Sequence, residues 1–249
     1  MIDGRETPEL PPARLPEHPF ITELMTEWGE KVTVENVWEE YPRPALVRDQ
    51  WTNLNGEWNY AIAPVDLVKP KEWSGKILVP FAVESKLSRV QRLLRPNQAL
   101  WYQRDLSLSG KEGERTILNF EVVDYEMIAW VNGERVGSHV GGNLPFSFDI
   151  TDALKDGKGS LLVRVTDATG GYQLKGKQVL DPHGIWYTPV SGIWQTVWVE
   201  QVPEEHIKSL TVTTKMDGTV MVKVNGTDAA AKVVILLDGK EIVTVLDLE

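Results

Sequence analysis

The sequence predicts an all-β chain in two parts, a jelly-roll β-sandwich followed by an incomplete immunoglobulin-like β-sandwich. Three observations carry this. Short runs of alternating or continuous apolar residues recur eight or nine times between Tyr41 and Pro203, separated by Gly, Pro, Asn and Asp. That spacing belongs to a sandwich. Helical periodicity between the runs is nearly absent, which excludes an α/β barrel. After Val202-Pro203 four more strand signals follow in about 45 residues, whereas an immunoglobulin-like sandwich takes about seven strands and 100 residues.

Residues 1–43 read as a Pro-rich arm. Prolines at 8, 11, 12, 16 and 19 oppose regular structure, because each fixes φ and removes a backbone donor. Phe20, Leu24 and Trp28 recur every fourth residue and suggest a short helix. The stretch carrying Leu24, Met25, Trp28, Val37 and Trp38 is too apolar to be left in water, so it should pack onto the sandwich.

Residues 44–203 hold the sandwich strands. Trp58–Ile62 follows Asn55-Gly56. Lys76–Pro80 is short and ends on Pro. Leu100–Leu108 alternates, with Leu100, Tyr102, Leu106 and Leu108 on one face and Trp101, Gln103, Asp105 and Ser107 on the other. Thr116–Val122 brings Leu118, Phe120 and Val122 together. Met127–Val131 and Arg135–Val140 flank Asn132-Gly133, the dipeptide of a type I′ hairpin, whose turn needs positive φ at both positions. Pro145–Ile150 and Leu161–Thr166 follow. Residues 204–249 form the second part, with strands at Leu210–Thr214, Val220–Val224, Val233–Leu237 and Ile242–Leu246, the last two joined by Asp238-Gly239.

The stretch Asp181–Glu200, DPHGIWYTPVSGIWQTVWVE, stands apart. In Ile193–Val199 one face takes Ile193, Val197 and Val199 and the other takes Trp194 and Trp198. A strand apolar on both faces is buried on both faces, so something must cover the outer side of this sheet. The preceding residues read as an ordered loop that carries His183, Trp186 and Tyr187.

The totals narrow the function. A net charge of −10 argues against nucleic acid or an anionic membrane surface as partner, since both require a basic patch. It suits a neutral ligand. The absence of cysteine excludes disulfides and Cys-based zinc sites. No apolar run approaches the roughly 18 residues of a membrane span. Met1–Glu6 lacks the basic region and apolar core of a signal peptide, and the compartment stays open: removal of a leader would mean periplasmic or extracellular. Ten Trp against five Phe serve first as core anchors. The flat faces of Trp and Tyr also suit the C–H face of a pyranose.

No P-loop, dinucleotide fingerprint, Gly-x-Ser-x-Gly elbow or His-Glu-x-x-His is present. The four His residues, at 18, 139, 183 and 206, are scattered. His183 reads as a loop histidine bonded to backbone before it reads as a ligand contact. Glu121, Asp124 and Glu126 form an acidic cluster where one strand ends and the next begins. Acids at such turns are usually solvated or cap the backbone, and no aromatic or basic partner converges on them, so no catalytic pair is predicted.

Several motifs then occur in one order. Tyr41-Pro42-Arg43-Pro44 precedes Trp51-Thr52-Asn53-Leu54-Asn55-Gly56-Glu57-Trp58. Val79-Pro80-Phe81 with Glu84-Ser85, Leu100-Trp101-Tyr102, and Phe120-Glu121-Val122-Val123-Asp124 come next. Trp130-Val131-Asn132-Gly133 leads to Gly137, Gly141-Gly142, Pro145-Phe146 and Phe148-Asp149-Ile150-Thr151. Gly176-Lys177-Gln178, Gly184-Ile185-Trp186-Tyr187 and Ser191–Trp198 close the series. Together they resemble the N-terminal region of glycoside hydrolase family 2, the β-galactosidases, β-glucuronidases and β-mannosidases.

The resemblance implies a galactose-binding-like jelly roll, an immunoglobulin-like domain and then a TIM barrel bearing two catalytic glutamates that retain configuration. A barrel needs about 250 further residues, so the resemblance implies a chain without catalytic residues, inactive alone as a glycosidase. Its implied partners are a carbohydrate and the missing C-terminal barrel of the same polypeptide. No cofactor is implied, although sandwich loops can hold a structural calcium or sodium through carbonyls and carboxylates. The loop before Ser191-Gly192-Ile193 matches the one that reaches the barrel mouth in this family and contacts galactose and sodium through an acidic residue. Here it lacks the acidic pair just before the Trp. Asp181, His183, Trp186 and Tyr187 are the residues it offers to a sugar. A free-standing carbohydrate-binding module and a purely structural sandwich are the other readings.

Overall fold

The computed structural model describes residues 25–109, 113–227 and 231–246, with side chains to residue 243. Sixteen strands are found among them, all paired antiparallel. In chain order they are β1 (Trp51–Asn53), β2 (Gly56–Pro64), β3 (Gly75–Val79), β4 (Gln98–Ser107), β5 (Glu114–Phe120), β6 (Val123–Asp124), β7 (Glu126–Val131), β8 (Glu134–Val140), β9 (Phe146–Asp149), β10 (Lys158–Thr166), β11 (Gly192–Ile193) and β12 (Val197–Pro203). Then come β13 (Ser209–Thr214), β14 (Val220–Asn225), β15 (Lys232–Leu237) and β16 (Lys240–Leu246).

A six-stranded sheet, β3-β2-β4-β10-β7-β8, faces a four-stranded sheet, β1-β12-β5-β9. The period-two alternation puts Leu100, Tyr102 and Leu106 of β4, Val163 and Val165 of β10, Leu118 and Phe120 of β5, and Val197 and Val199 of β12 into one core between them. On the opposite side of β4, Trp101 is also buried. It lies with Ala61 and Ala99, stacks on Trp130 at 5.9 Å and lies beneath the Arg164 guanidinium. Arg104 occupies a core-side position of β4. Its Nη1 donates to the Leu54 and Asn55 carbonyls at 2.8 and 3.0 Å, and its charge lies over the Trp58 ring.

Asn132 and Gly133 both have positive φ, at 53° and 85°, and join β7 to β8 as the dipeptide predicts. Asp238-Gly239 does the same between β15 and β16. Asn55-Gly56 does not make a hairpin: β1 pairs with β12 and β2 with β3 and β4. The single strand expected over Ile193–Val199 is two. β11 pairs with β6, and β12 starts at Val197 with β5 as its partner. The chain changes sheets between them, where Trp194 points its Nε1 to the Gly142 carbonyl at 3.3 Å.

Residues Val197 to Val202 are all buried, so the expectation of cover on both faces holds. The outer cover is the arm. Tyr41 meets the Trp198 ring edge-on at 5.3 Å, and the Arg43 guanidinium lies 5.0 Å above it. Val37 is buried against Leu78 and Phe81.

The helix expected at Phe20–Trp28 has its first five residues outside the described range, and residues 25–28 are not helical. Thr26 instead accepts the Gly29 N–H on its hydroxyl at 3.0 Å, which turns the chain into a short 3-10 segment, Gly29–Lys31. That turn leaves Trp28 71% exposed, against the expectation that it packs. The apolar stripe depended on a helix, and residues 25–28 form none. Trp38 is also exposed, although its ring meets Phe81 edge-on at 5.6 Å.

Past Pro203 the four expected strands are present as two hairpins, β13-β14 and β15-β16. This is about half the strand content of a full immunoglobulin-like sandwich.

Candidate functional site

The connection from β10 to β11, residues 167–191, contains no strand, yet it is closed on itself. Its first and last residues, Asp167 and Ser191, are both buried, and the Ser191 hydroxyl donates to Asp167 Oδ2 at 2.7 Å. The other Asp167 oxygen accepts the Thr169 N–H at 2.8 Å and Gln173 Nε2 at 2.9 Å. Ser191 N–H donates in turn to Glu84 Oε2 at 3.0 Å, and its carbonyl accepts from Val83 N–H at 3.3 Å. A long loop tied at its ends by buried hydrogen bonds is an ordered surface feature.

Glu84 is 2% exposed. Burial pushes its carboxyl up to about 8 against the pull of the Ser191 and Leu94 N–H groups, so it is protonated at neutral pH. Asp124 lies close by on β6 and is 8% exposed. Burial, and then the neighbouring Asp167 charge, push its carboxyl up to about 7. Gly142 packs directly against that carboxyl, where a β-carbon would collide with it. Asp124 is therefore not the solvated turn acid that its sequence context suggests. Glu121 is half-buried and accepts Trp198 Nε1 at 3.0 Å, and Glu126 alone of the three is exposed.

Inside the loop a second closure forms. Tyr187 N–H donates to Lys177 O at 2.9 Å and Val179 N–H to Tyr187 O at 3.0 Å, while the Gln178 side chain accepts Val190 N–H at 2.6 Å. These bonds hold a tip that contains Asp181, His183 and Trp186, with Tyr187 at its base. The structure therefore gathers all four sequence-predicted residues on one small loop. His183 Nδ1 lies 2.6 Å from the Asp181 carbonyl, the backbone-bonded state expected of a loop histidine. The Trp186 N–H closes a turn on His183 O at 2.9 Å. Trp186 is 42% and Tyr187 63% exposed, and Tyr172, Leu174 and Ile185 beside them in the same loop also face solvent. Tyr172 meets Tyr125 edge-on at 6.2 Å, which joins the loop to the strand end carrying Asp124.

The arrangement offers exposed aromatic faces on a fixed backbone, with Glu84, Asp124 and Asp167 buried beneath and Asp181 exposed at the tip. That suits stacking and hydrogen bonding to a polyol. Among the described residues no group of three or more His, Asp and Glu is placed to hold a metal ion. Sequence reasoning did not find Glu84, Asp167, Gln173 and Ser191 as a unit. Their partners lie up to 107 residues apart, and Asp167 looks like an ordinary polar residue after a strand. The one available signal was Glu84 directly after the apolar Phe81-Ala82-Val83.

The chain is similar to a β-galactosidase of Thermoanaerobacter pseudethanolicus, 32% identical over 115 residues, which cover 44% of this chain and 14% of that protein. It is similar to a β-glucuronidase of Rattus norvegicus, 28% identical over 165 residues, 56% of this chain and 26% of that one. The solved structure of Faecalibacterium prausnitzii β-glucuronidase matches 83% of this chain and 40% of its own with a TM-score of 0.63 at 24% identity, a likeness of fold. The chain spans 10–32% of the length of the curated relatives it matches. The sequence model described as "Glycosyl hydrolases family 2, sugar binding domain" matches residues 51–203, the span from β1 to the end of β12. With the sandwich and its closed loop inside that span, the chain belongs to glycosyl hydrolase family 2, as a bearer of its sugar-binding domain.

Proposed function

We propose that this chain is the non-catalytic, sugar-contacting and domain-packing part of a family 2 glycoside hydrolase that hydrolyses β-glycosides. In this reading residues 44–203 are the sugar-binding sandwich, and residues 204–249 begin the immunoglobulin-like domain. The catalytic glutamates come from a barrel on the same polypeptide. Asp181, His183, Trp186 and Tyr187 meet the sugar at the edge of that barrel. The observation that carries the reading is the loop 167–191, tied shut by Asp167 and Ser191 while it exposes Trp186 and Tyr187. A rigid aromatic edge of this kind is useful when a second surface completes the site. The similarity to β-galactosidases and β-glucuronidases, and the small share of their length that the chain spans, support the same reading.

Titration of tryptophan fluorescence with galactose, glucuronate, mannose and oligosaccharides tests it. The 249-residue chain should show weak or no saturation, because half of the site lies elsewhere. Clear saturation that disappears in Trp186→Ala would instead establish a self-sufficient carbohydrate-binding module.

A further inference from the structure

A cavity of about 560 Å³ lies on the outer face of the four-stranded sheet, floored by adjacent residues of β12, β5 and β9 and walled by the chain that follows β12. Its charges are unevenly distributed. Glu200 on the floor is nearly buried, and it accepts Arg43 Nη2 on both oxygens at 2.9 and 2.7 Å. The same carboxylate faces Arg48 Nε at 3.4 Å, so two guanidiniums share one negative charge. Arg48 also donates through Nη2 to the Ile207 carbonyl, which fixes it in place. Arg115 is matched by Asp149 at 2.7 Å and by the more exposed Asp152 at 3.4 Å. Lys208 lines the cavity and has no ion pair among the described residues. Two guanidiniums therefore share one carboxylate at the Arg43 and Arg48 end of the cavity, whereas Arg115 is matched by two, and Lys208 and Glu204 complete the charged lining.

This local excess of guanidinium at Arg43 and Arg48 stands in a chain of net charge −10. Arg43 Nε is buried without a hydrogen-bond acceptor, and Arg48 Nε, 3.4 Å from the Glu200 carboxylate, makes no aligned hydrogen bond to it. Buried donors are normally satisfied, and guanidiniums are the groups that recognise carboxylate, sulfate and phosphate through several parallel N–H bonds. Asn119 and Ser147 add neutral polar groups on the floor. We propose that this cavity binds a small oxyanion, a sulfate, phosphate or carboxylate, either free or carried as a substituent on a saccharide. Arg43 and Arg48 supply its fixed charge, held by Glu200, and Lys208 supplies the mobile one. Glu204 competes for Lys208 at the rim.

Isothermal titration calorimetry on the 249-residue chain at constant ionic strength tests this with sodium sulfate, sodium phosphate, sodium glucuronate, galactose 6-sulfate and neutral galactose. At least one anion should bind saturably at one site, and galactose should give no heat there. Binding of free sulfate equal to that of galactose 6-sulfate identifies a free anion, whereas tighter binding of the ester identifies a saccharide substituent. Lys208→Gln should weaken binding at least fivefold and Glu204→Gln should tighten it. Lys215→Gln, outside the cavity lining, should leave it unchanged. Absence of saturable binding by every anion, or equal affinities in Lys208→Gln, Glu204→Gln and the unsubstituted chain, would overturn the proposal.

Discussion

Strands β12 and β13 follow one another in the chain, and both are rich in β-branched residues, yet they end in opposite environments. Every residue of β12 from Val197 to Val202 is buried, whereas every residue of β13 is exposed. Local pattern builds both strands. What separates them is cover. β12 has the core on one face, with Val197 and Val199 packed into it, and Tyr41, Arg43 and Trp51 on the other. Among the described residues β13 pairs only with β14. Alternation can specify a strand, but burial on both faces is a property of what arrives from elsewhere in the sequence.

The comparison can be tested by substitution. Trp198→Ala should destabilise the protein most, by about 3–5 kcal/mol, read from urea unfolding. Val212→Ala in β13 should change stability by no more than about 0.5 kcal/mol. Equal costs at the two positions would break the contrast.

Glu200→Ala comes next. It leaves the Arg43 and Arg48 charges facing each other without their shared carboxylate. A fully buried broken pair costs about 3–5 kcal/mol. Arg43 is partly exposed, and water screens its charge, so about 2–3 kcal/mol is expected.

The third test concerns the acid under the loop. The folded-state pKa of Glu84, about 8, stands above its ordinary value of 4.5, so the folded chain keeps a proton that the unfolded chain releases. The corresponding stability is fully present below pH 4.5 and is lost as pH rises to about 8. Within that window the slope is at most about 1.4 kcal/mol per pH unit. Asp124 acts in the same direction from 3.8 to about 7. Unfolding midpoints measured from pH 5 to 8 should fall with pH, and Glu84→Gln should flatten the fall by one proton's share.

The smallest effect belongs to the loop's outer surface. Trp186→Ala and Tyr187→Ala should move the thermal midpoint little, with a change of about 0.5 kcal/mol or less, since both rings face solvent. A large loss at either would place these rings with β12 rather than with β13.

Most of the strands could be read from the sequence because the sandwich has one wet face on many of them and period-two alternation survives. β1 and β6, of three and two residues, are too short to show a period. The break between β11 and β12 was hidden because Trp194 continues the alternation although it turns aside to Gly142. Of the candidate site, the exposed rings could be read as aromatics in a Gly- and Pro-rich loop. The buried acids could not. Asp124 is covered by the close approach of Gly142, and Asp167 is held by Ser191, 24 residues away. Both facts depend on which loops meet at one end of the sandwich, and no local pattern encodes that.

The ion pair of Arg43 with Glu200 bridges 157 residues of chain, and this has a consequence during synthesis. A ribosome adds roughly 5–20 residues per second, so the arm emerges roughly 8–30 s before the strand it covers exists. Tyr41, Arg43 and Trp51 wait without their β12 partners through that interval, and the four-stranded sheet cannot be completed until β12 has left the ribosome. Tyr41 and Arg43 are therefore without Trp198 and Glu200 for nearly the whole time that residues 44–203 are being translated.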